Sequence, residues 1–288
     1  MPEGKIIQSL SGYYDIEHDG EIYRCRGRGN FRQKKVTPLV GDIVDFKEGY
    51  VLEIKPRKNE MLRPPLANLD QGILVFSAVE PDFQPLLLDR FLVRLEADDI
   101  LPIICFSKTD LADDAIRKEM ERFAADYRKI GYEVLFTSAA DQRNFETLTR
   151  LLDGKTSVFA GQSGVGKSSL LNALDPRFEL KTGAISEALG RGKHTTRRIR
   201  LLPIGSGYVA DTPGFSSLDF RDLEAKDLSY CFPEMRALAA ECKFRGCTHL
   251  AEPKCAVKEA VANKEIPAYR HEHYKQFYEE IQGQKRRY

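Results

Sequence analysis

The sequence predicts an α/β chain that opens with an all-β unit and closes with a helical segment. Three observations carry that reading. Residues 1 to about 65 hold short, roughly alternating segments with turn signals and no helical stretch. From about 70, short apolar runs alternate with helical patterns, as in a parallel sheet covered by helices on both faces. Beyond about 220 the pattern is helical, and three cysteines gather with one histidine.

The front unit reads as strands at Lys5–Ser9, Tyr13–Ile16, Glu21–Cys25 and Asp42–Phe46, with Asp19-Gly20 as a hairpin signal. Short strands without a helix between them predict a small barrel. Arg63-Pro64-Pro65 marks its end, because proline restricts itself and its predecessor. The middle unit reads as strands at Ile73–Phe76, Leu101–Phe106, Glu133–Phe136, Thr156–Ala160 and near Ile199–Leu202. Helices are expected around 84–97, 113–130 and 144–152. The domains expected are 1–66, 67–220 and 221–288.

Composition narrows the class. At roughly 150 residues per domain, 288 residues predict two domains with a small third. A hydrophobic content of 42% is enough for ordinary cores and excludes whole-chain disorder. Lys and Arg number 44 against 43 Asp and Glu, so any basic site must be local. No apolar run approaches the roughly 18 residues a membrane span needs, and Met1–Lys5 lacks a signal-peptide plan. A cytosolic protein is therefore expected, with no membrane partner. Six cysteines are too sparse for a disulfide scaffold.

Gly161-Gln162-Ser163-Gly164-Val165-Gly166-Lys167-Ser168 fits the phosphate-loop pattern G-x-x-x-x-G-K-[ST]. An apolar strand precedes it, and a helix-forming run from Ser169 follows. Backbone N–H groups at such a turn face phosphates, with the helix N-terminus favouring negative charge. Lys167 reaches the β- and γ-phosphates and acts in catalysis by neutralising charge. Ser168 offers its hydroxyl to Mg²⁺. Asp211-Thr212-Pro213-Gly214 follows a later apolar run. Asp211 stands where a Mg²⁺-holding carboxylate belongs, and the Gly214 N–H where a γ-phosphate approaches.

Ser107-Lys108-Thr109-Asp110 follows a strand and resembles the [NT]-K-x-D guanine motif of the GTPase superfamily. The Asp110 carboxylate accepts two hydrogen bonds from guanine, which adenine cannot offer. Thr137-Ser138-Ala139 resembles the second base motif, whose backbone N–H faces the guanine O6. Most GTPases place the phosphate loop before both base motifs; here the base motifs come first. That rotated order, behind a strand-rich unit and ahead of a Cys/His cluster, resembles the circularly permuted family of the small ribosomal subunit biogenesis GTPase A. The resemblance spans almost the whole chain. It implies an oligonucleotide-binding (OB) barrel, a permuted GTPase domain and a zinc-binding region. It also implies GTP hydrolysis in late maturation of the small ribosomal subunit, with GTP, GDP and rRNA as partners; a monomeric chain is expected. Ser107 departs from the usual Asn or Thr, and looser nucleotide binding is expected.

Phe215 follows Gly214 where familiar GTPases carry a water-orienting glutamine. The water must be held by another group. His194, in the Gly/Lys/Arg-rich segment Gly190–Arg197, is the candidate, and the resemblance points to the same residue. The resemblance also implies a threonine on Mg²⁺, either Thr195 or Thr196. Slow free turnover that the ribosome accelerates is expected.

Cys242-x₄-Cys247-x-His249-x₅-Cys255 supplies four ligands for one structural, tetrahedral Zn²⁺. Cys25, Cys105 and Cys231 read as small core residues, and His18, His271 and His273 as surface residues. Arg24, Arg26, Arg28, Arg32, Lys34 and Lys35 surround Phe31 with no acid among them. Cations for phosphate and an aromatic for a base predict RNA binding there. Two rivals stand beside this reading: an RNA chaperone with a vestigial nucleotide site, and an ATPase without a ribosomal partner. Intact Lys167, Ser168 and Asp211 argue against the first, and Asp110 against the second.

Overall fold

A computed structural model of the chain describes residues 1–29, 31, 36–178, 180, 199–211 and 218–285. Five strands near the N-terminus form a closed ring: β1 (Glu3–Leu10), β2 (Tyr13–His18), β3 (Glu21–Gly27), β4 (Ile43–Lys47) and β5 (Tyr50–Ile54). β1 pairs with β2, β2 with β3, β3 in parallel with β5, β5 with β4, and β4 again with β1. That is the OB topology. Ser11-Gly12, Asp19-Gly20 and Glu48-Gly49 form three two-residue hairpin loops, each with positive φ at both positions. Such loops match the twist of the flanking strands. Alternation then turns Ile6, Ile16, Val44 and Val51 into the barrel, where all are fully buried.

A short hairpin, β6 (Glu60–Leu62) with β7 (Pro65–Ala67), leads into the second body. Its sheet is built from β8 (Gln71–Ser77), β9 (Leu101–Ser107), β10 (Glu133–Phe136), β11 (Thr156–Ala160), β12 (Ile199–Ile204) and β13 (Gly207–Asp211). The spatial order is β10-β9-β8-β11-β13-β12. The first five run parallel, as the apolar runs predict, and β12 is antiparallel to β13. Helices α1 (Pro85–Ala97), α2 (Asp114–Ile130), α3 (Phe145–Leu152) and α4 (Lys167–Leu174) connect the strands. α1 buries Leu88, Phe91, Leu92 and Leu95, one face at helical spacing. α2 starts on the Asp113 side chain, which accepts from the Ile116 N–H, and ends on left-handed Gly131.

β12 does not end the sheet. It pairs with barrel strand β1 at Gln8–Arg200 and Ser9–Ile199, so barrel and central sheet form one eleven-stranded sheet. The sequence reading treated the two as separate.

The C-terminal region carries α5 (Pro233–Leu238), α6 (Ala256–Ala262) and α7 (Ala268–Lys285). Its apolar core includes Phe220, Phe232, Met235, Val257, Tyr274 and Phe277, together with Val93 from α1. A buried polar network fixes it to the central body. Arg270, fully buried, donates to Asp89 on α1 at 2.5 Å and to both carboxylate oxygens of Glu234 at 2.7 and 3.1 Å. Tyr127 on α2 donates to Asp89 at 2.7 Å. The surface reading of His271 and His273 is corrected here. His273 Nδ1 lies 2.5 Å from Asp89 Oδ2, and His271 Nε2 lies 2.7 Å from the His249 carbonyl. Cys25, Cys105 and Cys231 are buried, as expected of small core residues. No helix among the described residues is long and apolar enough to cross a membrane.

Candidate functional site

The parallel strands set their C-terminal ends side by side, and the sequence motifs sit on those ends. Register brings Ser77 level with Ser107, and Phe106 level with Phe136. β11 ends at Ala160, where Gly161–Gly166 turns into α4. Gly161 has a φ of 141°, and a Cβ there would lie 2.1 Å from the Val75 carbonyl oxygen. Only glycine lets the loop pass so close to β8. Gly166, also at positive φ, caps α4, which places Lys167, Ser168 and Ser169 in its first turn. Val165 is buried, whereas Ser163 and Gly164 are exposed.

Lys167 Nζ donates to the Gly161 carbonyl at 2.8 Å and the Gln162 carbonyl at 2.6 Å. Burial pulls its ammonium down to about 8. The Gln162 Oε1 atom is buried with no hydrogen-bond partner among the described residues.

The base motifs lie next to this loop. Ser107 Oγ, buried, lies 2.5 Å from the Val165 carbonyl and 3.2 Å from that of Phe76. It ties the end of β9 to the phosphate loop. Lys108 Nζ donates to the Glu80 carbonyl at 2.7 Å. Thr109 Oγ1 donates to the Thr137 carbonyl at 3.0 Å, joining the two base loops. Ser138 Oγ accepts from the N–H groups of Ala140 and Asp141, which shapes the turn carrying Ala139. Ser107, Lys108, Asp110, Leu111, Ala139, Ala140, Gly166, Ser169 and Leu170 line one cavity of about 240 Å³. The three motifs, spread over some sixty residues of sequence, therefore face a common space.

Asp211 ends β13, one residue past Ala210, which pairs with Val158 on β11. It thus stands on the strand beside the one that feeds the phosphate loop. Its Oδ2 lies 3.0 Å from Arg200 Nε. His194, Thr195, Thr196 and Gly214 lie outside the described residues.

Residues 54–221 match the RsgA GTPase family and residues 3–50 the RsgA N-terminal domain. The chain belongs to the RsgA GTPase family. Proteins named small ribosomal subunit biogenesis GTPase RsgA are 61% identical in Bacillus anthracis and 62% in Bacillus cytotoxicus, over 100% of both chains. The crystal structure of YloQ, a circularly permuted GTPase, superposes with a TM-score of 0.85 at 51% identity, covering 100% of this chain and 97% of that one. The crystal structure of YjeQ from Thermotoga maritima gives 0.86 at 35% identity, covering 98% and 99%. The strand order of this RsgA-family chain is accordingly a permuted GTPase sheet behind an OB barrel.

The C-terminal region carries the Cys/His cluster. One ligand atom each from Cys242, Cys247, His249 and Cys255 lies within 4.8 Å of the others. Cys242 Sγ is 3.9 Å from Cys255 Sγ and 3.6 Å from His249 Nδ1, which is 3.4 Å from Cys255 Sγ. A tetrahedral Zn²⁺ with ordinary bond lengths sets sulfur pairs about 3.8 Å apart and sulfur–nitrogen pairs about 3.5 Å apart. The donor set fits such an ion. Glu252 holds the ligand loop by accepting from the Thr248 and Leu250 N–H groups at 2.7 and 3.0 Å. Burial alone would raise its carboxyl; the Thr248 hydroxyl, which donates to it at 2.6 Å, and these backbone hydrogen bonds outweigh it and hold the group at about 2.

The basic segment of the barrel is less open than its sequence reads. Arg24 gives both arms of its fork to Asp15, directly opposite on β2, at 2.7 and 3.0 Å. Arg26 lies over the Tyr13 ring, 4.5 Å from its centre, and donates to its hydroxyl. Arg28 is exposed. Phe31 is half-buried and packs against the core. Arg32, Lys34 and Lys35 lie outside the described residues. The sequence reading missed Asp15, Tyr13 and Arg200. Counting outward from the two-residue hairpin loops at Asp19-Gly20 and Gly205-Ser206 finds the Asp15–Arg24 and Arg200–Asp211 pairs.

Proposed function

We propose that this chain hydrolyses GTP while bound to the small ribosomal subunit and acts in that subunit's late maturation. The observation that carries the reading is the cavity shared by Asp110 and the phosphate-loop residues Gly166 and Ser169. The names of the relatives support the ribosomal part. In this reading Asp110 takes the guanine edge, the Ala139 N–H meets O6, and Ser107 links the two loops. The N–H groups of Gly161–Ser168 and the Lys167 ammonium neutralise the charge that spreads over the phosphates. Ser168, Asp211 and one of Thr195 and Thr196 are hard oxygen donors suited to Mg²⁺. When bound with GTP, that ion supplies charge neutralisation across the β- and γ-oxygens. His194 orients the attacking water, since Phe215 has no polar group to do so.

The division proposed is an RNA-binding barrel over 1–66, a GTPase domain over 67–220 and a zinc-bearing helical domain over 221–288. Zn²⁺ at Cys242, Cys247, His249 and Cys255 is structural, because four protein ligands leave no open position. Arg26, Arg28, Arg32, Lys34 and Lys35 contact rRNA, with Arg24 available once it exchanges Asp15 for phosphate. The chain works as a cytoplasmic monomer. The test is GTP hydrolysis by wild type and Lys167→Ala, with and without small subunits, alongside co-sedimentation with GDP or a non-hydrolysable GTP analogue. Subunit-stimulated turnover that Lys167→Ala abolishes is expected. Turnover unaffected by the subunit, or by loss of Lys167, overturns the reading, as does equal competition by ATP.

A further inference from the structure

We propose that Arg200 is a positioning residue that competes with Mg²⁺ for the Asp211 carboxylate, and so sets how much Mg²⁺ the nucleotide site requires. This rests on the reading of Asp211 as a magnesium ligand. Arg200 and Asp211 are register partners across β12 and β13, and Arg200 Nε lies 3.0 Å from Asp211 Oδ2. The pairing is therefore built into the backbone. Guanidinium cannot be deprotonated in a protein, so a cation faces this carboxylate at every working pH. The side chains are 43% and 32% exposed, which makes the pair weak and exchangeable. A divalent ion held also by Ser168 and nucleotide oxygens displaces it, but against a standing cost. Asp211 is placed for this contest because β13 lies directly beside β11, the strand that enters the phosphate loop.

The test uses the full chain and a fluorescent, non-hydrolysable GTP analogue. Binding is followed by anisotropy as Mg²⁺ is titrated, with an EDTA baseline and circular dichroism to verify folding. For Arg200→Gln, the Mg²⁺ concentration giving half-maximal binding is expected to fall roughly two- to fivefold, the span that an exposed ion pair supplies. Binding in EDTA is expected to match wild type. Arg200→Lys, which keeps the charge, is expected to return the midpoint towards wild type. A purely structural pair would lower stability and leave the Mg²⁺ midpoint in place. A midpoint that is unchanged or raised in Arg200→Gln overturns the proposal. Asp211→Asn separates the two layers. If that variant keeps the wild-type Mg²⁺ midpoint, Asp211 is no magnesium ligand and the proposal falls with the reading. If it loses the Mg²⁺ dependence while Arg200→Gln matches wild type, only the role of Arg200 fails.

Discussion

Ser107 shows how one buried hydroxyl can tie two loops of the candidate site together. Asparagine or threonine is usual at its position, and serine there reads in sequence as looser nucleotide binding. Its Oγ nevertheless reaches the Val165 carbonyl at 2.5 Å from a buried position, so the bridge between base loop and phosphate loop is kept. Ser107→Ala leaves that carbonyl short of a partner, a loss of about 1–3 kcal/mol. GTP affinity is expected to fall roughly tenfold, measured by nucleotide titration, with hydrolysis at saturation little changed. An affinity equal to wild type would show the bridge to be dispensable. Lys167 gives a pH signature. Burial holds its ammonium at about 8, while phosphate oxygens favour the charged form and raise it. The bound state therefore holds more protons above that value. GTP affinity should be level below about pH 8 and fall as pH rises beyond it, by at most about tenfold per unit for one proton. A titration series from pH 6.5 to 9.5 measures this, and Lys167→Ala is expected to remove the slope.

Elements were legible in the sequence where periodicity is long, and hidden where contacts come from another element. α1, α2, β8 and β9 announce themselves by apolar runs and spacing, and the glycine pattern places the phosphate loop. β6 and β7, three residues each, are too short for any period. The charge count around Arg24 reads as unopposed because Asp15 arrives from the neighbouring strand. His273 reads as a surface residue because Asp89, its partner, is 184 positions away in sequence. That network decides how the C-terminal region is held. Arg270→Ala would leave the Asp89 and Glu234 carboxylates buried without their main countercharge, a loss of about 3–5 kcal/mol. Thermal unfolding is expected at a clearly lower temperature, and a melting point within a degree or two of wild type would contradict this. The Cys/His cluster lies in the same C-terminal region. Stripping metal with a chelator, or Cys255→Ser, should expose the region from Cys242 to Cys255 to protease while α1 and the central sheet stay protected. Protease resistance in the chelated protein would mean that the small core suffices alone.

The whole molecule is organised by the seam between barrel and sheet. In chain order β1 and β12 are far apart, yet their pairing makes the strand before Asp211 a neighbour of the barrel. Side chains reinforce the seam. Lys5 Nζ donates to Thr156 Oγ1 at 3.0 Å and sits 4.8 Å above the Tyr208 ring centre, while the Tyr208 hydroxyl donates to Glu17 at 3.1 Å. Burial lowers Lys5 from its ordinary value, and the nearby Asp70 and Glu17 carboxylates partly oppose that shift. The hairpin that bears Asp211, the proposed magnesium ligand, is also the one that pairs with the barrel, the proposed RNA-binding unit. In the proposed function, a ribosome seated on the barrel would act on a strand two register steps from Asp211: Gln8 to Arg200 across the seam, then Arg200 to Asp211. Tyr208→Ala tests this coupling without touching a nucleotide-site residue. It removes the ring beneath Lys5 and the donor to Glu17, at a stability cost of about 1–3 kcal/mol. Unstimulated GTP hydrolysis is expected within twofold of wild type, and co-sedimentation with small subunits should persist. Stimulation by the subunit should fall severalfold, because the side-chain contacts of Tyr208 across the seam are lost. Full stimulation in a variant whose barrel is shown by limited proteolysis to be loosened would mean that the subunit acts on the GTPase domain directly, and not through the seam.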